Sequence, residues 1–287
     1  MGISVIVPSY NTPQEFIDNL YNSLLTQTFN EYEVLIIDDY STLKPDYSIP
    51  DTRFNIIYQP YHSGPAKCRN IGVQLAKNDI LFFTDSDCEL APETLEVVYK
   101  NIQENDITAG NTITKVKTFL GKTIAYLGFP GGGIIGFDQV WKVDRLGFTR
   151  SFSSCNVAMK KKIFYSIGPF DTTFPVPGGE DTVFASHAIQ AGYKIRYLPN
   201  QVVYHVERNS LKAFIQWQIT RGRGNYHIKK RLGRVNPFFK LRLWSFKNSI
   251  FKSEIYFVPF VLILIILSVF FQIKGYRIEK RRNEKRP

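Results

Sequence analysis

With 287 residues, 44% of them hydrophobic and 15% aromatic, the chain can bury the core of one sizeable α/β domain plus an appendage, which excludes a disordered protein. Its net charge of +11 is unevenly placed: residues 1–207 carry 17 Lys+Arg against 22 Asp+Glu, whereas residues 208–287 carry 19 against 3. The basic character belongs to the C-terminal part, where it suits an anionic membrane face or a nucleic acid.

In chain order, Ile3 to Val7 reads as a short β-branched strand stopped by Pro8, and Ser9 to Thr12 as a loop. Pro13 opens a helix with Phe16, Leu20 and Leu24 at helical spacing. A second strand over 33–37 ends in Asp38 and Asp39, and a third over 54–58 leads through His62 to Pro65 into a helix over 66–77 carrying Lys67 and Arg69. Ile80 to Thr84 then reads as a buried strand ending in Asp85-Ser-Asp87, with a helix from about Pro92 to Gln103. Strands alternating with helices at this spacing predict right-handed β-α-β units and a mainly parallel sheet with helices on both faces.

The loops at 8–12, 38–42, 62–69 and 85–89 therefore share the carboxyl edge of the sheet, where open α/β sheets bind ligands. In an extended chain Asp85 and Asp87 point the same way and Ser86 the other, so two anions converge on one spot and invite a hard cation, Mg2+ or Mn2+. Tyr10 offers a stacking ring, Asp38 or Asp39 an acceptor for a base N–H or ribose hydroxyl, and Lys67 and Arg69 an answer to phosphate. Each feature alone also fits a surface aromatic, a turn cap or a solvated helix face; together they predict one pocket. Neither a Walker-type loop nor a Gly-x-Gly-x-x-Gly after the first strand is present, which argues against those nucleotide-binding classes.

Ile-Val-Pro-Ser-Tyr-Asn (6–11), Ile-Ile-Asp-Asp-Tyr-Ser (36–41), Gly-Pro-Ala-Lys-Cys-Arg-Asn-Ile-Gly (64–72) and Phe-Thr-Asp-Ser-Asp (83–87) resemble the successive signatures of family 2 glycosyltransferases with the GT-A fold. The resemblance spans about residues 3–225. It implies a nucleotide-diphosphate sugar donor, a divalent metal on the Asp-x-Asp and inversion at the anomeric carbon. Carried onto this sequence, Pro8 and Tyr10 line the base pocket and Asp38 and Asp39 meet uracil or ribose. Arg69 lies near base or diphosphate, Asp85 and Asp87 flank ribose and metal, and Ser86 counts with the nucleotide-sugar contacts. It further implies a catalytic carboxylate at Glu180-Asp181, with Asp181 as general base and Glu180 orienting it or binding the acceptor. Acidic residues also cap helix starts, and the helix here is predicted to run to about Ala191. His205 falls where relatives place a histidine that completes the metal shell or meets the diphosphate, and Arg221 where an arginine lies near the leaving diphosphate. Gln218 and Arg221 keep the spacing of the Gln-x-x-Arg-Trp segment of processive synthases, but Gly222 replaces the Trp, which argues against processivity.

Between these motifs, Phe119 to Phe148 is read as mobile connecting structure over the acceptor side, Phe152 to Met159 as a strand, Lys160 to Ser166 as a helix, and 194–199 and 202–205 as two short strands. Residues 1–110 form a nucleotide-sugar half and 111–225 an acceptor half of one domain. A basic amphipathic juxtamembrane segment (226–254), a membrane helix (255–273) and a basic tail (274–287) follow. Residues 255–273 hold no charge, near the length of a span, yet basic residues flank both sides, leaving open a span or a segment lying in one leaflet.

Cys68, Cys88 and Cys155 show no paired spacing and read as reduced thiols, and Ile3 begins a strand without a signal sequence. The expected protein is membrane-attached with a cytoplasmic catalytic domain. It takes a nucleotide-diphosphate sugar and a glycan or lipid-linked acceptor, meets the membrane through its C-terminal helix, and binds no nucleic acid. Two other readings stand beside it: a polyprenyl-phosphate sugar synthase, and a non-catalytic membrane adaptor with a basic, anion-binding tail.

Overall fold

The computed structural model describes residues 2–48, 51–129, 131–175, 177–233 and 236–284. Of the predicted features, part of the 119–148 connection, part of the juxtamembrane segment and the last residues of the basic tail lie outside the described residues. The first half contains β1 (Ile3–Ser9), α1 (Gln14–Leu25), β2 (Tyr32–Asp38), β3 (Phe54–Tyr58), α2 (Pro65–Leu75) and β4 (Ile80–Phe83). These strands pair in parallel in the order β3-β2-β1-β4. Every residue of β1, β2 and β4 is buried, which is why they read as unbroken apolar runs and not as alternating ones.

β1 runs through Pro8 instead of stopping there. Alternate backbone groups face alternate neighbours: the Ile6 carbonyl accepts from Thr84 N–H on the β4 side and the Ser9 carbonyl from Asp39 N–H on the β2 side. Position 8 faces the β4 side, where the strand has already ended at Phe83, so the missing proline N–H costs no ladder bond.

The second half adds β5 (Cys88–Leu90), α3 (Thr94–Ile102), β6 (Ile107–Lys115), α4 (Phe119–Ala125), α5 (Phe137–Val140), β7 (Phe148–Thr149), β8 (Val157–Lys160), α6 (Lys161–Ile167), α7 (Glu180–Gln190) and β9 (Ile195–Val206). The sheet continues β4-β8-β6-β9-β5. β8 is antiparallel to β4 and β6, β5 and β7 are antiparallel to β9, and β6 and β9 are parallel. The parallel core is therefore extended by a mixed flank.

Three local expectations change. The two short strands at 194–205 are one strand: Leu198 pairs with Gly110 and Val202 with Asn111, so Pro199 and its neighbours bulge out and break register without ending the strand. The strand expected over 152–159 begins only at Val157, because Asn156 turns its amide to the Asn111 and Gln201 carbonyls. The 119–148 connection, read as mobile, holds two helices and buries Phe129 and Phe137.

The chain closes with α8 (Leu211–Leu232), α9 (Asn236–Lys252), a 3-10 turn at Ile255–Phe257 and α10 (Val258–Glu284). α10 lies along α8. Gln218 Oε1 accepts from Ser268 Oγ at 2.9 Å and from Gln272 Nε2 at 2.7 Å, while Glu279 accepts from Arg223 Nε at 2.7 Å and faces His227 Nε2 at 3.1 Å. The partners advance together, so the two helices run parallel and α9 is the return. A Cβ on Gly222 would stand 2.1 Å from the Gln272 carbonyl, and one on Gly275 2.1 Å from that of Ile219. Only glycine permits this backbone approach, which accounts for Gly222 where processive synthases carry Trp. The boundaries expected at 225 and 273 both fall inside helices.

Candidate active site

β4 ends at Phe83, and a turn closed by Cys88 N–H on the Asp85 carbonyl carries Asp85 and Asp87 at the carboxyl edge of the sheet, with side chains 30% and 34% exposed, so the extended alternation expected of them does not hold. Asp85 does not stand free. Arg69, buried in α2, places Nη2 2.7 Å from Asp85 Oδ1 and Nη1 3.1 Å from Glu180 Oε1 at the start of α7. Arg69, expected beside base or diphosphate, bridges the two halves. Burial pulls its pKa down, but the Asp85 and Glu180 charges outweigh that and hold it above its ordinary value. Burial, and then the Asp181 charge, push the Glu180 carboxyl up against the pull of Arg69.

Asp87, Cys88 and His205 gather their ligand atoms within 4.8 Å of one another, because β5 and β9 pair Cys88 with His205. His205 Nδ1 lies 2.9 Å from the Val206 carbonyl, which can only accept, so the ring proton sits on Nδ1. Nε2 faces Asp87 Oδ1 at 3.3 Å. Two acceptors this close suit a shared cation. Burial pushes the Cys88 thiol well above its ordinary value, so the oxygen and nitrogen atoms form the usable donor set, one suited to Mg2+ or Mn2+. Asp85, expected in the same shell, is engaged by Arg69 instead.

At the same edge, Tyr10 is 48% exposed and lies against His62 with ring centroids 4.2 Å apart and planes tilted by 34°. Lys67 is exposed in the first turn of α2. The other candidates serve the pocket from beneath. Pro8 is buried within β1. Asp38 is wholly buried, accepting from Ser41 N–H at 2.9 Å and Tyr47 OH at 3.0 Å. Asp39 accepts from Ser63 N–H and Gly64 N–H, both at 2.7 Å, and so pins the loop entering α2. The acceptor role expected of this pair is corrected to loop-holding. Ser86, expected against the nucleotide, is buried and shares a 2.7 Å hydrogen bond with Thr12. Thr12 joins Ser9, Tyr47 and Asp38 in one polar chain under the edge.

Sequence reasoning missed Tyr40, which is 55% exposed at the same edge with φ +65°, a backbone state that costs an aromatic residue free energy and that fixed loops keep at functional sites. No pattern in the sequence signals it beyond its position after Asp39.

On the acceptor side, Gly179 caps α7 at φ +117°, and an added Cβ would meet Phe174 at 2.9 Å, so the turn before Glu180 depends on glycine. Glu180 is buried between Arg69 and the Gly178 N–H, pinned by them rather than set to orient its neighbour. Asp181 spends Oδ1 on the Thr182 N–H at 2.7 Å. Its charge draws on Arg221, whose guanidinium lies over Phe129 at 4.6 Å and Trp217 at 5.0 Å; burial lowers Arg221. Arg208, also missed, lies over Trp217 at 5.0 Å; burial lowers it while Asp87 opposes. It stands just beyond β9, three residues after His205, the one signal available.

A family model described as glycosyl transferase family 2 matches residues 4–164. An uncharacterized glycosyltransferase of Haemophilus influenzae is 28% identical over 220 residues, covering 74% of this chain and 71% of its own. A putative teichuronic acid biosynthesis glycosyltransferase, TuaG, of Bacillus subtilis is 33% identical over 99 residues, covering 33% of this chain and 39% of its own. The solved mannosyltransferase PcManGT of Pyrobaculum calidifontis, in complex with GDP-Man and Mn2+, shares the fold with a TM-score of 0.58 at 18% identity, covering 93% of this chain and 74% of that one.

Proposed function

We propose, on the premise that the chain belongs to glycosyl transferase family 2, that it is an inverting, metal-dependent enzyme of cell-surface polysaccharide synthesis. It moves a sugar from a nucleotide-diphosphate sugar to a hydroxyl of a glycan or lipid-linked acceptor. The carrying observation is that Arg69 joins Asp85 on the donor edge to Glu180 at the start of α7, next to Asp181, whose charge also acts on Arg69. The name of the Bacillus relative supports the surface-polysaccharide setting. Membership in a glycosyltransferase family speaks against the non-catalytic adaptor.

Tyr10 and Tyr40 stack the base, and Lys67 answers phosphate at the start of α2. Asp87 and His205 would hold a divalent cation, which supplies positive charge to the leaving diphosphate. Arg208 adds its own charge beside it, with Arg221 behind it toward Asp181. Asp181 takes the proton of the acceptor hydroxyl as it attacks the anomeric carbon, using the carboxylate oxygen not engaged by Thr182.

α10, with its preceding turn, is long and apolar enough to cross a membrane. A crossing would drag in α8, to which it is bound along its length and which carries Arg221, Arg223, Lys229 and Arg231. One face of α10 is exposed through Phe260, Ile263, Ile266, Phe270 and Ile273, whereas Val261, Leu264 and Ser268 are buried. This favours a helix lying in the interface with basic stretches on one side.

The test is nucleotide release from UDP-, GDP- and dTDP-sugars with Mn2+. One donor should turn over, with release lost in Asp85→Ala/Asp87→Ala and in Asp181→Asn. Asp181→Asn that still glycosylates a polyprenyl phosphate would transfer the reading to a polyprenyl-phosphate sugar synthase, whose nucleophile needs no base.

A further inference from the structure

Three arginines with no carboxylate partner among the described residues meet at one pair of rings. Phe129 and Trp217 stand edge to face with centroids 4.1 Å apart. Arg208 lies over Trp217, Arg221 over both rings, and Arg242 of α9 over Phe129 at 5.2 Å and Phe246 at 5.0 Å. A guanidinium held over an aromatic face keeps N–H donors available for an anion. Arg208 Nε and Arg242 Nη2 are buried without an acceptor. By contrast Arg69, Arg223 and Arg231 are each matched by a carboxylate.

Partly buried cations outside any ion pair lose hydration without full compensation, and three gathered on one pair of rings form a receptor for anions. They follow one another along the rings, Arg208 over Trp217, Arg221 over Trp217 and Phe129, and Arg242 over Phe129; Asp87 acts on Arg208, and Asp181 and Glu180 act on Arg221. Burial, and then the Arg221 charge, push Arg242 down to about 9, the direction of a cation awaiting its partner. The donor diphosphate accounts for the Arg208 end, beside Asp87. It leaves Arg242, on the far side of Arg221, unexplained.

We propose that Arg242, together with Arg221, forms a second phosphate site, and that its occupant is a phosphate of the acceptor, so that the acceptor hydroxyl presented to Asp181 belongs to a phosphate-bearing molecule. This rests on the reading that Arg208 serves the donor and Asp181 the hydroxyl. The phosphate is that of a lipid carrier or of a polyol phosphate, and α9, which bears Arg242, leads directly into the apolar α10.

The experiment uses the full chain in detergent micelles and isothermal titration with three probes: inorganic phosphate, decyl phosphate and glycerol 3-phosphate. Each is titrated with and without saturating UDP or GDP and Mn2+. Wild type should bind one equivalent of probe whether or not nucleotide is bound. Arg242→Gln should weaken that binding by about tenfold or more, Arg242→Lys should recover most of it, and nucleotide affinity should stay within about twofold in both. Tighter decyl phosphate would assign a lipid carrier, and tighter glycerol 3-phosphate a polyol phosphate. Probe displaced by nucleotide, or probe binding indifferent to Arg242→Gln, would overturn the site. Failure of nucleotide to bind wild type would count against the donor reading alone, since Arg242-dependent probe binding is read without nucleotide as well.

Discussion

Replacing Arg69 by Met removes one charge and leaves two carboxylates facing each other across the junction of the two halves. Asp85, 2.7 Å away and 30% exposed, recovers much of its loss from water; Glu180, 3.1 Å away with a side chain 5% exposed, does not. Breaking a buried pair from one side costs about 3–5 kcal/mol, and with Asp85 discounted the lower end, ~3 kcal/mol, applies. For a domain of this size that lowers Tm by roughly 6–12 °C. The penalty belongs to ionised Glu180, whose folded pKa is already raised above its unfolded value and rises further without Arg69. A carboxylate so shifted destabilises above its folded pKa and ceases to do so as pH falls through it, so the deficit should shrink between neutral and mildly acidic pH. Glu180→Gln should repair most of the damage in the double variant. Thermal denaturation of wild type, both singles and the double at two pH values decides this. A Tm loss of less than about 2 °C for Arg69→Met, or a double variant no better than the single, would refute the bridge.

Tyr40→Gly should raise stability by up to about 1 kcal/mol by releasing the positive φ, yet weaken nucleotide binding by a similar amount, measured by denaturant titration and calorimetry. His205→Ala should reduce Mn2+ affinity by about tenfold or more, read by Mn2+ electron paramagnetic resonance, without moving Tm by more than a few degrees. Ser86→Ala should cost about 1 kcal/mol by leaving Thr12 short of a partner, visible in urea melts. Ile266→Glu with Phe270→Glu should abolish co-flotation with anionic vesicles while leaving Tm nearly unchanged, because both side chains point outward.

What sequence could reveal followed distance along the chain. Asp85 and Asp87 were legible because they directly follow a short apolar strand, although a turn and not strand alternation sets their directions, and Tyr10 because its loop follows a strand directly. Arg69 was legible as a site residue but not in its role, since its partners lie 16 and 111 residues away. Asp38 and Asp39 carry the right residue type in the right place, yet folding turns both into the sheet edge, where backbone N–H groups claim them. Apolar length revealed the C-terminal helix; its polar contacts could not be foreseen, because Glu279 acquires meaning only beside Arg223 and His227. Arg242 stood outside every recognisable motif and was found by what it lacks.

The tight seating of α10 on α8 changes how the protein can be handled at the bench. Cutting the chain at 254 to obtain a water-soluble enzyme would not trim an anchor from a finished body. It would strip Ser268 and Gln272 from Gln218 and Glu279 from Arg223 and His227, and uncover the bare backbone at Gly222. The damage would reach the active site, because Arg221 stands on the same turn of α8. A soluble preparation is better sought by repainting the outward residues of α10 in polar ones, with the helix itself left in place.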